Sequence, residues 1–127
     1  MAKKILIVDD DPDFVEMNRA VLVAGGYEVI SAGRAKDGIK MIKEESPDLL
    51  LLDVMMGSDV EGFDAVEEIR ALPGGRELPI IMITSFDKHH KTAWADKPDK
   101  AWVDVERYLN KPVSPEDLLS EVKEALK

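Results

Sequence analysis

Five side chains that could take part in metal or phosphoryl chemistry each follow a short apolar segment of the sequence. Asp9 and Asp10 follow ILIV, Asp53 follows LLLL, Thr84 follows IIMI, and Lys111 follows YLN. Apolar runs of this kind are typical of strands that are buried on both faces of a parallel sheet. Because ligands bind beyond the carboxyl ends of such strands, we expect three carboxylates, a hydroxyl and an ammonium to meet at one edge.

Three converging carboxylates repel one another unless a cation lies among them, so these residues predict a site for a hard divalent metal. The same oxygen-rich surroundings, with an ammonium and a hydroxyl nearby, suit a phosphoryl group as the ligand. The residue types therefore indicate metal-assisted phosphoryl chemistry at the predicted sheet edge.

The elements that position these residues alternate regularly along the chain. Strands are predicted at residues 4–8, 27–32, 48–53, 78–84 and about 105–110. Helices are predicted at residues 12–24, 35–45, 63–72, about 88–95, and from 115 onward, with a polar loop at 57–62. Asp11 and Ser114 are the expected caps of the first and last helices, because a proline suited to the first helical position follows each of them.

The spacing of apolar residues predicts the face of each helix that packs on the sheet. In chain order these inward stripes are Phe14, Met17, Val21 and Ala24; Ile39 and Ile42; Phe63, Val66, Ile69 and Leu72; and Leu118, Leu119, Val122 and Leu126.

Strands that alternate with helices predict an α/β fold with right-handed crossovers and three layers. The expected architecture is doubly wound and flavodoxin-like, with a five-stranded parallel sheet in the order 2-1-3-4-5 and five helices. This order places strands one and three side by side, so that Asp9, Asp10 and Asp53 become neighbours. A chain of 127 residues has the size of one compact domain, and we expect a single domain over residues 1–127.

Composition narrows the function classes further. The chain has 26 acidic and 17 basic residues, a net charge of −9, which disfavours direct binding to nucleic acid or to an anionic membrane. The apolar stretch near the N-terminus is too short for a signal peptide or a membrane span. No cysteine is present, which excludes a disulfide framework and a thiol nucleophile, and a cytoplasmic location is expected.

With these motifs in order, the chain resembles the receiver domain of response regulators from two-component phosphorelays, the CheY-like family. The resemblance covers nearly the whole length. It is carried by Asp9 and Asp10 in ILIVDDDP, Asp53 in LLLLDVMM, Thr84 in MITS, and Lys111 in YLNKP. The ordered set on matching strands is far more specific than any single motif.

The resemblance implies that Asp53 accepts a phosphoryl group from a histidine kinase or a histidine phosphotransfer protein. It also implies a Mg²⁺ cofactor held by Asp10, Asp53 and the backbone carbonyl of Met55, with Asp9 binding directly or through water. Mg²⁺ suits one or two carboxylates plus a phosphoryl oxygen, because it prefers octahedral oxygen coordination and keeps several waters. Beyond autophosphorylation and slow self-dephosphorylation, no enzyme activity is expected.

The same resemblance assigns roles to residues of strands four and five. Lys111 would pair with a phosphoryl oxygen and Thr84 would donate a hydrogen bond to another. Pro112 would follow a cis peptide bond that aims Lys111 inward. Thr84 and Tyr108 would act together as a switch that changes the surface near strands four and five. An unknown output partner would bind the face from the fourth predicted helix to the fifth strand, and a phosphorylation-dependent homodimer is a further expectation.

Two segments depart from the family pattern. Gly57 stands where a proline is common, and the expected glycine comes one residue late, at Gly62. The segment between Thr84 and Lys111 is several residues longer than usual and lacks a Gly-Ala stretch. Because no residues remain after the final helix for a DNA-binding module, the expectation is a stand-alone regulator or an excised domain.

Two other function classes compete with the phosphoryl switch. One is a docking module of the same fold that works without phosphorylation, which the altered loops would favour. The other is a phosphatase of the haloacid-dehalogenase type, because Asp9 and Asp11 form an Asp-x-Asp motif after the first strand. That family usually has Thr or Val where this chain has Asp13, and it requires a longer chain.

Overall fold

The computed structural model describes residues 2–53, 61–84, 107–110 and 113–126. The strands are β1 (Lys4–Val8), β2 (Glu28–Ala32), β3 (Leu49–Asp53), β4 (Ile80–Thr84) and β5 (Arg107–Asn110). They form one parallel sheet in the order β2-β1-β3-β4-β5. The predicted fold class and strand order are therefore confirmed.

Four helices lie in the described part of the chain: α1 (Pro12–Ala24), α2 (Ala35–Glu45), α3 (Glu61–Arg70) and α4 (Pro115–Ala125). The predicted helix at about 88–95 falls outside the described residues. Within those residues, no helix has both the length and the apolar character needed to cross a bilayer.

Alternate residues of the strands contribute to two separate cores, one on each face of the sheet. Leu6 and Leu50 belong to the core that α2 and α3 cover, whereas Ile5 and Leu49 belong to the core under α1 and α4. All four of these side chains are fully buried. This two-sided burial explains why the strands are continuous apolar runs, and it gives the predicted three layers.

The inward face of α1 differs from the predicted stripe. Phe14, Val15, Asn18 and Leu22 are buried, whereas Met17 is 60% exposed and Ala24 is also exposed. The helix packs through the row at positions 14, 18 and 22, which a polar residue interrupts in the sequence. Asn18 can occupy that row because its side-chain amide bonds the carbonyl of Phe14. The prediction for Met17 and Ala24 was wrong for this reason.

Both expected helix caps are present. The Asp11 carboxylate accepts hydrogen bonds from the amides of Asp13 and Phe14 at the start of α1. The Ser114 hydroxyl accepts one from the amide of Asp117 at the start of α4. Each cap satisfies helix amides that would otherwise lack an intrahelical partner.

Helix α3 begins and ends two residues earlier than predicted. Gly62 lies in its first turn, where the backbone amides make no intrahelical bonds and glycine therefore weakens the helix less. After the helix, the amide of Leu72 donates to the carbonyl of Ile69, three residues earlier, which makes a tight turn. The guanidinium of Arg70 donates to the carbonyls of Gly75 and Leu78. A side chain at Gly75 would overlap the carbonyl oxygen of Ile69, so this connection requires glycine there.

Four strands begin one or two residues later than predicted. Tyr27 lies in the connection between α1 and β2, and its amide donates to the carbonyl of Leu22 in the last turn of α1. Pro79, which has no amide to donate, precedes the first residue of β4.

Candidate functional site

The register of β1 and β3 brings the aspartates together. Val8 lies opposite Leu52 in the parallel pair, so the next residues, Asp9 and Asp53, emerge side by side at the carboxyl edge of the sheet. Asp10 follows directly. Carboxylate oxygens of the three residues all lie within 4.8 Å of one another. The structure thus assembles the three carboxylates that the sequence predicted to meet.

The three aspartates differ in burial. Asp9 and Asp53 are each only 3% exposed, whereas Asp10 is open to solvent. The two buried carboxylates lie at the ends of strands whose preceding residues are fully or almost fully buried. Such a site holds two oxygen donors in fixed positions and leaves the third accessible, which suits a cation that enters from solvent.

Asp9 is held at both its backbone and its side chain. Its amide donates to the carbonyl of Ala32 at 3.1 Å, which continues the pairing of β1 with β2 by one residue. Its Oδ1 accepts a hydrogen bond from the amide of Asp11 at 2.9 Å. The orientation of the Asp9 carboxylate is therefore fixed by the turn that leads into α1.

A cavity of about 340 Å³ opens beside Asp9 and Asp10, between the start of α1 and the end of β2. Glu16 and Ser31 are among the residues that line it, and Arg19 connects them, with Nε 3.4 Å from Glu16 and Nη2 2.8 Å from the Ser31 hydroxyl. Sequence reasoning missed Glu16 and Ser31. They lie on different elements, and no motif or spacing marks them.

The other predicted site residues are described in part or not at all. The backbone of Thr84 ends β4, and its register partner is Asn110, the last residue of β5. Tyr108 lies in β5 opposite Met82. Met55, Lys111 and Pro112 lie outside the described residues. Their assignment to the site stays a prediction from the sequence.

The donor set of the site fits a hard divalent cation. Three carboxylates provide only oxygen ligands, and their mutual repulsion favours a bound positive charge. Softer metals are less suited, because the cluster contains neither thiolate nor imidazole. Mg²⁺, which binds few protein carboxylates and keeps several waters, matches this arrangement.

A family model for the response regulator receiver domain matches residues 5–123. The chain belongs to this family. Its fold, its strand order and the position of its aspartate cluster all agree with the receiver resemblance that the motifs carry. Receiver domains are phosphoacceptor signalling modules and are generally not enzymes.

Individual proteins resemble the chain over nearly its whole length. An uncharacterized 14.6 kDa protein from the sodA1 3′ region of Leptolyngbya boryana is 35% identical over 115 residues, which are 91% of this chain and 83% of that protein. A CheY-like receiver domain protein from Methanospirillum hungatei JF-1 is 32% identical, with a TM-score of 0.81 over 99% of this chain and 94% of that structure. Chemotaxis response regulator CheY4 of Vibrio cholerae is 27% identical, with a TM-score of 0.83 over 99% and 100%.

Membership of this family carries general consequences. Receiver domains bind Mg²⁺ through acidic residues, and the aspartate cluster at the carboxyl edge of the sheet could hold such an ion. A receiver domain also implies an interaction with a histidine kinase or another phosphodonor, and with an output domain or partner.

Proposed function

We propose that residues 1–127 form one receiver domain in which Asp53 accepts a phosphoryl group from a histidine kinase or a histidine phosphotransfer protein. The observation that carries this proposal is the convergence of Asp9, Asp10 and Asp53 within 4.8 Å at the carboxyl ends of β1 and β3. Asp53 ends the central strand, and its carboxylate is almost fully buried, which suits a nucleophile held in one orientation.

In the proposed reaction, an Asp53 carboxylate oxygen forms a bond to phosphorus while the phosphorus–nitrogen bond of phosphohistidine breaks. The leaving electron pair goes to the imidazole nitrogen. Asp9, Asp10, Asp53 and the backbone carbonyl of Met55 would hold Mg²⁺, which when bound neutralises charge on the phosphoryl oxygens. Asp53 would supply the attacking oxygen, and Asp9 and Asp10 would supply the other carboxylate ligands of the ion.

Two residues of the later strands complete the proposal. Lys111 would pair with one phosphoryl oxygen and Thr84 would donate a hydrogen bond to another. Pro112, after a cis peptide bond, would aim Lys111 into the site. The register that places Thr84 opposite Asn110, the residue before Lys111, supports their approach to the same edge.

The output of this switch would be a changed surface near β4 and β5. Thr84 and Tyr108 would shift on phosphorylation and alter the face between the segment 88–95 and β5, where an output partner or a second receiver binds. The acidic net charge of −9 supports a protein partner over nucleic acid. A cytoplasmic location stays a prediction that depends on the absence of cysteine.

Intact-mass analysis after incubation with acetyl phosphate tests the proposal. We expect an adduct of one phosphate that requires Mg²⁺ and is absent in Asp53→Asn. Asp37→Asn, a change at an exposed aspartate of α2, is the matched control and should keep the adduct. An adduct that persists in Asp53→Asn would assign the acceptor to another residue. No adduct under any condition would favour the docking module, and partner binding unchanged by Asp53→Asn would then support it.

A further inference from the structure

The turn between β1 and α1 is anchored at both ends. At its start, the amide of Asp9 bonds the carbonyl of Ala32 in β2 at 3.1 Å. At its end, the carboxylate of Asp11 accepts from the amides of Asp13 at 3.1 Å and Phe14 at 3.3 Å. Asp10, the exposed member of the aspartate cluster, lies between the two anchors. Its backbone direction is therefore set by the residues on either side.

Asp11 also contacts the cluster itself. Its own amide donates to Asp9 Oδ1 at 2.9 Å, while its carbonyl accepts from the amide of Val15 at 3.1 Å. A single residue in an extended conformation, with φ −98° and ψ 103°, thus connects the first turn of α1 to a buried carboxylate of the site. The side chain of Asp11 faces the helix amides, and its carboxylate is not part of the group formed by Asp9, Asp10 and Asp53.

We propose that Asp11 is a positioning residue for Mg²⁺. By capping α1, its side chain holds the Asp11 backbone so that the amide orients the Asp9 carboxylate and keeps Asp10 beside Asp53. Partners that orient metal ligands in this way commonly change metal affinity when they are removed. This inference rests on the proposed function, because it assumes that the aspartate cluster binds Mg²⁺.

The chain contains a matched comparison for this cap. Ser114 caps α4 in the same way: its hydroxyl accepts from the amide of Asp117 at 3.1 Å, and a proline follows it as one follows Asp11. Ser114 is not a member of the group formed by Asp9, Asp10 and Asp53. Loss of either cap should destabilise the protein, but only loss of the Asp11 cap should weaken Mg²⁺ binding.

The experiment is a calorimetric titration with Mg²⁺ of the full chain and three variants at a temperature well below unfolding. Asp11→Ala should raise the Mg²⁺ dissociation constant about tenfold. Asp11→Asn, which keeps capping ability and removes the charge, should stay within about threefold of the unmodified chain. Ser114→Ala should lower the melting temperature by about 4 °C, as Asp11→Ala does, and leave the dissociation constant unchanged.

If the Asp11 cap strengthens Mg²⁺ binding, then Mg²⁺ binding must stabilise the cap by the same free energy. Hydrogen exchange at the capped amides provides a second measurement of this coupling. Mg²⁺ binding should slow hydrogen exchange at the amides of Asp13 and Phe14 in the unmodified chain. The slowing should be absent in Asp11→Ala and unaffected by Ser114→Ala. A purely structural cap would protect these amides equally with and without Mg²⁺.

Three results would overturn the inference. Asp11→Ala with the affinity of the unmodified chain would show that the cap does not position the cluster. Equal losses in Asp11→Ala and Asp11→Asn would assign the effect to charge alone, and equal losses in Asp11→Ala and Ser114→Ala would assign it to stability. Failure of the unmodified chain to bind Mg²⁺ at all would instead refute the metal site of the proposed function.

Discussion

The side-chain amide of Asn18 donates a 2.7 Å hydrogen bond to the carbonyl oxygen of Phe14, one turn earlier in α1. Asn18 is only 3% exposed and lies in the row that packs α1 onto the sheet. A buried amide without a partner would destabilise the fold, whereas one that is bonded can replace an apolar residue at moderate cost. This contact therefore makes a polar residue compatible with the core under α1.

Asn18→Ala should lower the free energy of unfolding by about 1–2 kcal/mol, because it removes this hydrogen bond and leaves space in the core. Asn18→Asp should lower it further at pH 7, because an ionised carboxylate buried there has no proton to donate to the Phe14 carbonyl. Urea denaturation of both variants measures the difference. Equal stability of the two variants at pH 7 would contradict the burial of residue 18.

The same residue shows why the sequence predicts the sheet better than the helix faces. Strands buried on both sides are unbroken apolar runs, so β1 and β3 stand out regardless of register. A helix face must be inferred from spacing, and the polar Asn18 interrupts the true row while Met17 suggests a false one. Whether a polar side chain can be buried depends on a partner such as the Phe14 carbonyl, which the spacing does not reveal.

For the site, sequence order and strand topology suffice to predict that Asp9, Asp10 and Asp53 converge, because parallel strands end at one edge. Other contacts of the site depend on backbone geometry. The hydrogen bond from the Asp11 amide to Asp9 and the cavity lined by Glu16 and Ser31 arise from how the start of α1 meets β2. Such approaches between elements leave no periodic pattern in the sequence.

Lys4 should make stability depend on pH in the alkaline range. The hydrogen bond from its Nζ to Glu45 Oε1, 3.0 Å long, raises the pKa of Lys4 above the ordinary 10.5, and partial desolvation opposes this rise. Because the folded chain holds the proton more tightly, the stabilisation is complete below the unfolded pKa and is lost as pH rises through the folded pKa. Lys4→Gln should thus be less stable than the unmodified chain at pH 8.

The measurement for Lys4 is urea denaturation between pH 8 and pH 11.5. The difference in unfolding free energy between Lys4→Gln and the unmodified chain should shrink as the pH passes about 10.5. Lys36→Gln, at an exposed position of α2, is the control and should show no such trend. A difference that stays constant across this range would refute the role of the Lys4 charge.

Ser46, which ends α2, is the one non-glycine residue with positive φ in the described part of the chain, at 47°. Its amide still bonds the carbonyl of Ile42, so the left-handed conformation completes the end of the helix. Glycine adopts this conformation without steric cost, so Ser46→Gly should raise the free energy of unfolding by about 0.5–1 kcal/mol. Ser120→Gly, inside α4, should instead lower it by about 0.5 kcal/mol. Thermal unfolding would show opposite shifts; a loss in both variants would contradict the prediction.

The convergence of Asp9, Asp10 and Asp53 should lower stability when no cation is present. Because carboxylate oxygens of the three residues lie within 4.8 Å of one another, removing one of the charges should relieve about 1 kcal/mol of repulsion. Asp10→Asn should therefore unfold at a higher urea concentration than the unmodified chain in Mg²⁺-free buffer. Asp13→Asn, a change in the first turn of α1 outside the cluster, is the matched control and should not gain stability.

Added Mg²⁺ should reverse this order of stability. A ligand at one hundred times its dissociation constant stabilises the folded state by about 2.7 kcal/mol, and Asp10→Asn should gain less because it lacks one carboxylate ligand. Asp10→Asn should therefore be the more stable protein in urea unfolding without Mg²⁺, and the unmodified chain should be the more stable one with Mg²⁺. If Asp10→Asn were less stable than the unmodified chain even without Mg²⁺, repulsion would not dominate the cluster, and another contact of Asp10 would have to account for its contribution to the fold.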